Sequence, residues 1–307
     1  MNEKLFESAI ADFDYLNKVM IESCAQVAFN SVIFESALAD TLNEAEDGES
    51  KNSSVKNAAF KALEAVKRAA QTIFNKIKVA INEFIAKANQ YSVTKAIDSW
   101  KKSEKFDLSA TASVKPAKFL GIDDPAAAFA VPYASLLNNM NDEKAVAGII
   151  AKSFASKLGD NYADAKKALA AVESFGDVNK VYTGLVGYAM ANEDTTFEAE
   201  KYIDSVPDLT ETSKAVKDSY KKASDAVNGF IKDYKKTLDS AADDEKAAQV
   251  KAHINVLNKL LGTVHASFIG YMKWSVASNR QALVAIKSAK KGKVEPANES
   301  FMGLALL

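Results

Sequence analysis

The stretch "VKAHINVLNKLLGTVHASFIGYMKW", residues 250–274, decides the fold class. Val250, Ile254, Leu257, Leu261, Val264, Phe268 and Tyr271 recur at alternating steps of four and three, which lines apolar side chains along one stripe of an α-helix. The apolar register then moves to Met272, Val276, Leu283 and Ile286, and the polar run "KKGKVEPANES" (290–300) ends the helix. Upstream, the spacing predicts a helix from Leu209 to about Ser240, with Thr210 as its candidate cap after Pro207. Helical signals also run through "DEKAVAGIIAKSFASKL" (142–158), "NYADAKKALAAVESF" (161–175) and "VNKVYTGLVGYAMAN" (178–192), with Gly159 and Gly176 as punctuation.

The N-terminal third is equally helical in pattern. Before Pro116 there is no proline, and Gly48 alone interrupts as a helix breaker. Phe6, Ile10, Phe13, Asn17, Met20, Cys24, Val27, Ser31, Phe34 and Leu38 keep a heptad step, predicting a first helix over about 3–43. After the loop "EAEDGESKNSS" (44–54), a second long helix is expected to start at Ser53 or Ser54 as N-cap. Its seam is Phe60, Leu63, Ala70, Phe74, Ile77, Ile81, Phe84, Ala88 and Tyr91, broken only by Lys67 and widened by Val66, Ile73 and Ala80.

Residues 1–50 carry eleven carboxylates against two lysines, whereas 55–87 carry seven basic residues against Glu64 and Glu83. Opposite charge on two helices joined by a short loop predicts an antiparallel αα-hairpin of coiled-coil character. Residues 106–140 contain three prolines and no sustained period, which reads as a connector with one short helix. No segment alternates convincingly with period two, so the expectation is an all-α, long-helix bundle with essentially no sheet. Its divisions are an acidic arm (1–44), a basic amphipathic helix (45–105), the connector (106–140), a helical bundle (141–290), and a polar linker with an apolar tail (291–307).

Composition narrows the function classes. A chain of 307 residues that is 48% hydrophobic and 26% charged has ordinary soluble proportions, and its net charge of -1 gives no overall field toward nucleic acid or membrane. Arg68 and Arg280 are the only arginines, which argues against sites that read phosphates or base edges with guanidinium forks. The longest nearly apolar run, "AAAFAVPYASLL" (126–137), is too short to span a bilayer, and the N-terminus lacks the layout of a signal peptide. The basic helix "AAFKALEAVKRAAQTIFNKIKVAINEFIAKA" (58–88) has the composition of a membrane-surface helix, but the acidic helix beside it supplies the compensating charge.

Chemistry-bearing motifs are missing from the sequence. It contains no glycine-rich phosphate loop, CxxC pair, HExxH or GxSxG. His253 and His265 are the only histidines; twelve residues apart, they stand about 120° out of phase and cannot share one metal on one helix. Cys24, the single cysteine, lies in the first seam and reads as a small core residue. Adjacent carboxylates in "GIDD" (121–124) and "AADDE" (241–245) read as solvated surface pairs. The expectation is a non-enzyme with no catalytic, cofactor-binding or metal-ligating residue, no cofactor and no small-molecule ligand. The uncharged tail "FMGLALL" reads either as a segment that folds back onto the bundle or as a docking peptide through Phe301, Met302, Leu304, Leu306 and Leu307.

The pentapeptide (Leu/Ile)-Phe-Glu-Ser-Ala occurs at 5–9 and again at 33–37, four heptads apart. Heptad geometry accounts for Phe6 and Phe34 as core positions. It does not account for the small residues after the glutamates, nor for a third match that closes the arm. Leu5-Phe6-Glu7-Ser8, Ile33-Phe34-Glu35-Ser36 and Leu42-Asn43-Glu44-Ala45 resemble the (Leu/Ile)-x-Glu, then small residue, pattern cut by prohead proteases of T-even-like tailed bacteriophages. The chain as a whole also resembles the lysine-rich, arginine-poor, all-helical virion proteins of large phages.

That resemblance implies a non-enzymatic structural or packaged virion protein in the virion or host cytoplasm, with Glu7, Glu35 and Glu44 as processing sites and the acidic arm as a propeptide. Its partners would be other virion proteins or further copies of itself, with nonspecific contact to DNA or an anionic surface once the arm is lost. The alternatives are a membrane-active amphipathic protein and an intracellular helical interaction protein.

Overall fold

In a computed structural model the described residues are 51–88, 111–114, 121–190, 195–198, 204–241 and 243–291. They form seven α-helices: α1 (Lys51–Ala88), α2 (Pro125–Phe129), α3 (Glu143–Ala155), α4 (Ala163–Ala170), α5 (Phe175–Met190), α6 (Leu209–Ser240) and α7 (Asp244–Lys291). Short 3-10 turns occupy Tyr133–Ser135, Leu137–Asn139 and Asp160–Tyr162. The fold is all-α. Beside the helices stands one short ribbon, in which β1 (Thr111–Val114) and β2 (Thr195–Glu198) pair antiparallel, with Thr111 opposite Glu198 and Val114 opposite Thr195.

The stretch 250–274 lies inside α7, which is the axis of the molecule. All seven seam residues from Val250 to Tyr271 are buried, but burial goes beyond the stripe. From Leu260 to Ala282 only Gly262, Lys273 and Arg280 are more than marginally exposed. A helix buried on all sides needs neighbours all round, and α1, α2, α5, α6 and β1 supply them. Ser, Thr, Ala and Gly on its flanks let those neighbours approach, which is why a reading of large apolar residues alone finds one stripe.

α6 and α7 form an antiparallel pair: Tyr234 meets His253, Tyr220 meets Phe268, and the carbonyl of Pro207 accepts a 3.0 Å hydrogen bond from Asn279 Nδ2. α1 runs antiparallel to α6, with Phe74 edge-on to Tyr220 and Lys56 Nζ donating to the carbonyl of Ala241 at 3.0 Å. That lysine covers carbonyl charge just beyond the C-terminal end of α6, where a cation is favoured. The α1 seam is buried as its spacing predicts, at Leu63, Val66, Ala70, Phe74, Ile77, Ile81 and Phe84, and it faces α6 and α7.

The remaining helices pack on the other side of α7 around Phe129. This last residue of α2 stacks on Tyr182 of α5 and Tyr271 of α7 and tilts against Phe154 of α3 and Trp274 of α7. Trp274 Nε1 donates to the Tyr162 hydroxyl at 2.9 Å, a buried bond that ties the turn before α4 to the axis. One hydrophobic core runs through all of these elements, from Ala59 to Ala282.

Several element boundaries differ from expectation. α1 begins at Lys51, ahead of Ser53 and Ser54. α6 is capped by Asp208, whose carboxylate accepts from Thr210 N, so Thr210 is a first-turn residue and not the cap. Gly176 lies inside the first turn of α5. The break falls at 171–174, where Ser174 and Asp177 cap each other's backbone: Asp177 N donates to Ser174 Oγ and Ser174 N to Asp177 Oδ2. The predicted hairpin of residues 1–44 with the basic helix lies outside the described residues.

Candidate functional site

Glu7, Glu35 and Glu44, Cys24, and the tail residues Phe301, Met302, Leu304, Leu306 and Leu307 all lie outside the described residues. The basic helix is described over α1. With its apolar stripe taken by α6 and α7, α1 shows solvent a face that includes Lys61, Arg68 and Lys78, none of which makes an ion pair among the described residues. Lys67 reaches Glu64 at 3.7 Å, both half-exposed.

The two histidines are far from equivalent. His253 is partly buried beside the Tyr234 ring, and burial lowers its pKa. His265 is 3% exposed, its Nε2 has no hydrogen-bond partner, and burial reinforced by the Lys76 ammonium pushes its pKa down to about 4. Each therefore favours the neutral imidazole. Among the described residues no three His, Cys, Asp or Glu side chains gather closely enough to hold a metal ion.

A cleft of about 510 Å³ is bounded by α2 and the chain after it, Ser153 of α3, α6 and α7. That volume falls within the range of small-molecule sites. Phe129, Phe268 and Tyr271 form its buried floor, and Asp124, Asp218 and Lys222 are exposed along its wall. The sequence places each of these locally. Asp124 caps α2, accepting from Ala127 N at 3.0 Å, with Pro125 at the first helical position, where its missing N–H costs nothing. Asp218 and Lys222 stand one turn apart on the outer side of α6, and neither makes an ion pair among the described residues. Phe268 and Tyr271 are neighbours on the α7 seam.

Burial raises the Tyr271 phenol to about 12; the neighbouring Thr212 hydroxyl opposes the rise, and the carboxylates of Asp124 and Glu211 add to it. The hydroxyl thus stays protonated at neutral pH in a negative local field. A buried aromatic floor with charged side chains on its wall is an arrangement that suits binding. The sequence reading missed it because its lining is drawn from positions between 124 and 271; the "GIDD" pair was visible but reads as surface charge.

Comparison with protein-family models, with curated proteins and with solved structures finds no match to this chain. Among the described residues no helix is long and apolar enough to cross a membrane.

Proposed function

We propose that this chain is a non-enzymatic packing and docking protein, and that it serves as a structural or packaged component of a tailed-phage particle. The observation that carries the reading is the state of α1: its apolar face is consumed inside the core, while Lys61, Arg68 and Lys78 remain open to solvent. A helix so arranged keeps little apolar surface for a bilayer, with Val79 its one exposed large hydrophobic among the described residues, and offers charge to a polyanion or an acidic partner. The membrane-active alternative would require α1 to leave α6 and α7 and expose the stripe from Leu63 to Phe84. Support for the particle comes from the three (Leu/Ile)-x-Glu junctions and the lysine-rich helical composition.

The test is the protein content of gradient-purified particles from the native source, quantified by mass spectrometry. A fixed copy number per particle is expected. Recovery only in the soluble lysate would overturn the particle assignment.

A further inference from the structure

We propose that the cleft between α2, α6 and α7 binds a small organic cation, an ammonium group carried on an apolar or aromatic body. This goes beyond the packing role above and reverses the expectation of no small-molecule ligand. Three features of the cleft converge on that class. Its volume, about 510 Å³, accommodates a compact ligand whole. The floor is aromatic, with Phe129 and Tyr271 stacked at 5.5 Å and Phe268 beside them, so it suits an apolar body. Its charge is predominantly negative: Asp124 and Asp218 line it, and the Glu211 carboxylate adds to the negative field at Tyr271.

The carboxylates are available. Capping α2 uses Asp124 Oδ1, which leaves the second oxygen, and Asp218 has no ion-pair partner among the described residues. Lys222, one turn along from Asp218, is the opposing charge. Its position gives the proposal a sign that an experiment can read. A bound cation is repelled by Lys222, whereas a carboxylate, a phosphate or a zwitterion would be held by it.

Isothermal titration of the full chain with phenethylammonium chloride, 2-phenylethanol and 3-phenylpropionate supplies the test. The ammonium probe should bind at least tenfold more tightly than the alcohol or the carboxylate. Asp218→Asn should weaken it severalfold, as should Asp124→Asn, a change that preserves the helix cap because Asn caps as well as Asp. Lys222→Gln should tighten it. All three residues are exposed, so unchanged circular dichroism and melting are expected and will separate loss of binding from loss of fold. Equal binding of the alcohol, no binding of the ammonium probe, or indifference to both aspartate changes overturns the proposal. Weaker binding in Lys222→Gln would assign the cleft to an anionic or zwitterionic ligand instead and overturn the cation.

Discussion

At the scale of single residues, two positions on α7 are held by constraints that admit little else. Gly270 lies where α5 crosses: a Cβ built there would overlap the carbonyl oxygen of Tyr182, stand 2.8 Å from its carbon and 3.1 Å from the Phe129 ring. Two of these atoms are backbone, so the helices must separate to admit a methyl group. Gly270→Ala should therefore destabilise the fold by about 2 kcal/mol or more despite the better helix propensity of alanine; a urea midpoint that rises would refute the close crossing. His265 is constrained by charge. Its folded-state pKa, about 4, is below the ordinary 6.5, so the unfolded chain binds the extra proton as pH falls between those values. The stability that rests on the neutral ring is complete above about pH 6.5 and is lost on acidification toward 4. From pH 7 to pH 5 this one site should cost about 2 kcal/mol. In His265→Leu that part of the acid slope should vanish, read by urea unfolding at pH 7, 6 and 5. An unchanged slope would mean that the ring reaches solvent.

At the scale of elements, caps decide where helices begin, and they separate what was legible in the sequence from what was not. Asp208 N-caps α6 and accepts from Thr210 N at 2.7 Å, so Asp208→Ala should cost about 1 kcal/mol, while Thr210→Ala, at an exposed first-turn site, should be near neutral. The reverse order in thermal melting would restore Thr210 as the cap. Long seams survive translation from sequence to structure because many residues vote for one phase: α1, α6 and α7 are where their spacing puts them. Boundaries rest on one or two side chains, and Thr210, Ser53, Ser54 and Gly176 each offered a plausible but unused signal. The β1–β2 ribbon was illegible for another reason. "TASV" and "TTFE" are four residues each, too short for a period to emerge, and their pairing joins positions 80 or more residues apart. The cleft shares that limitation, since its floor comes from α2 and α7 and its carboxylates from α2 and α6. Even the all-round burial of α7 left a trace, because only Lys273 and Arg280 carry full charge between 261 and 282.

At the scale of the whole molecule, charge is divided unevenly along the chain. Residues 1–44 hold eight carboxylates and two lysines, so a chain beginning at Ala45 would move from a net charge of -1 to +5. The Glu44 junction stands seven residues ahead of Lys51, where α1 begins, and the α1 stripe is satisfied by α6 and α7. We expect loss of residues 1–44 to spare the core that runs from Ala59 to Ala282 among the described residues, and to remove eight carboxylates from a chain whose α1 holds Lys61, Arg68 and Lys78 in solvent. Two results are expected of a chain starting at Ala45. It should melt cooperatively with α-helical dichroism, and it should bind duplex DNA more tightly than the full chain. With about three lysine or arginine contacts to phosphate, log K should fall against log salt with a slope near -3. Binding that is insensitive to salt, or that matches the full chain, would show that the α1 face does not meet a polyanion. Native particles give the complementary measurement: peptide mapping should find N-termini at Ala45, and at Ser8 or Ser36 only as intermediates. Those two junctions fall within a predicted helix, and a protease requires the chain extended, so each waits on local unfolding that the polar loop around Glu44 does not need. Mature particles that retain the residue-1 terminus intact would leave the repeated (Leu/Ile)-Phe-Glu-Ser-Ala to heptad geometry alone.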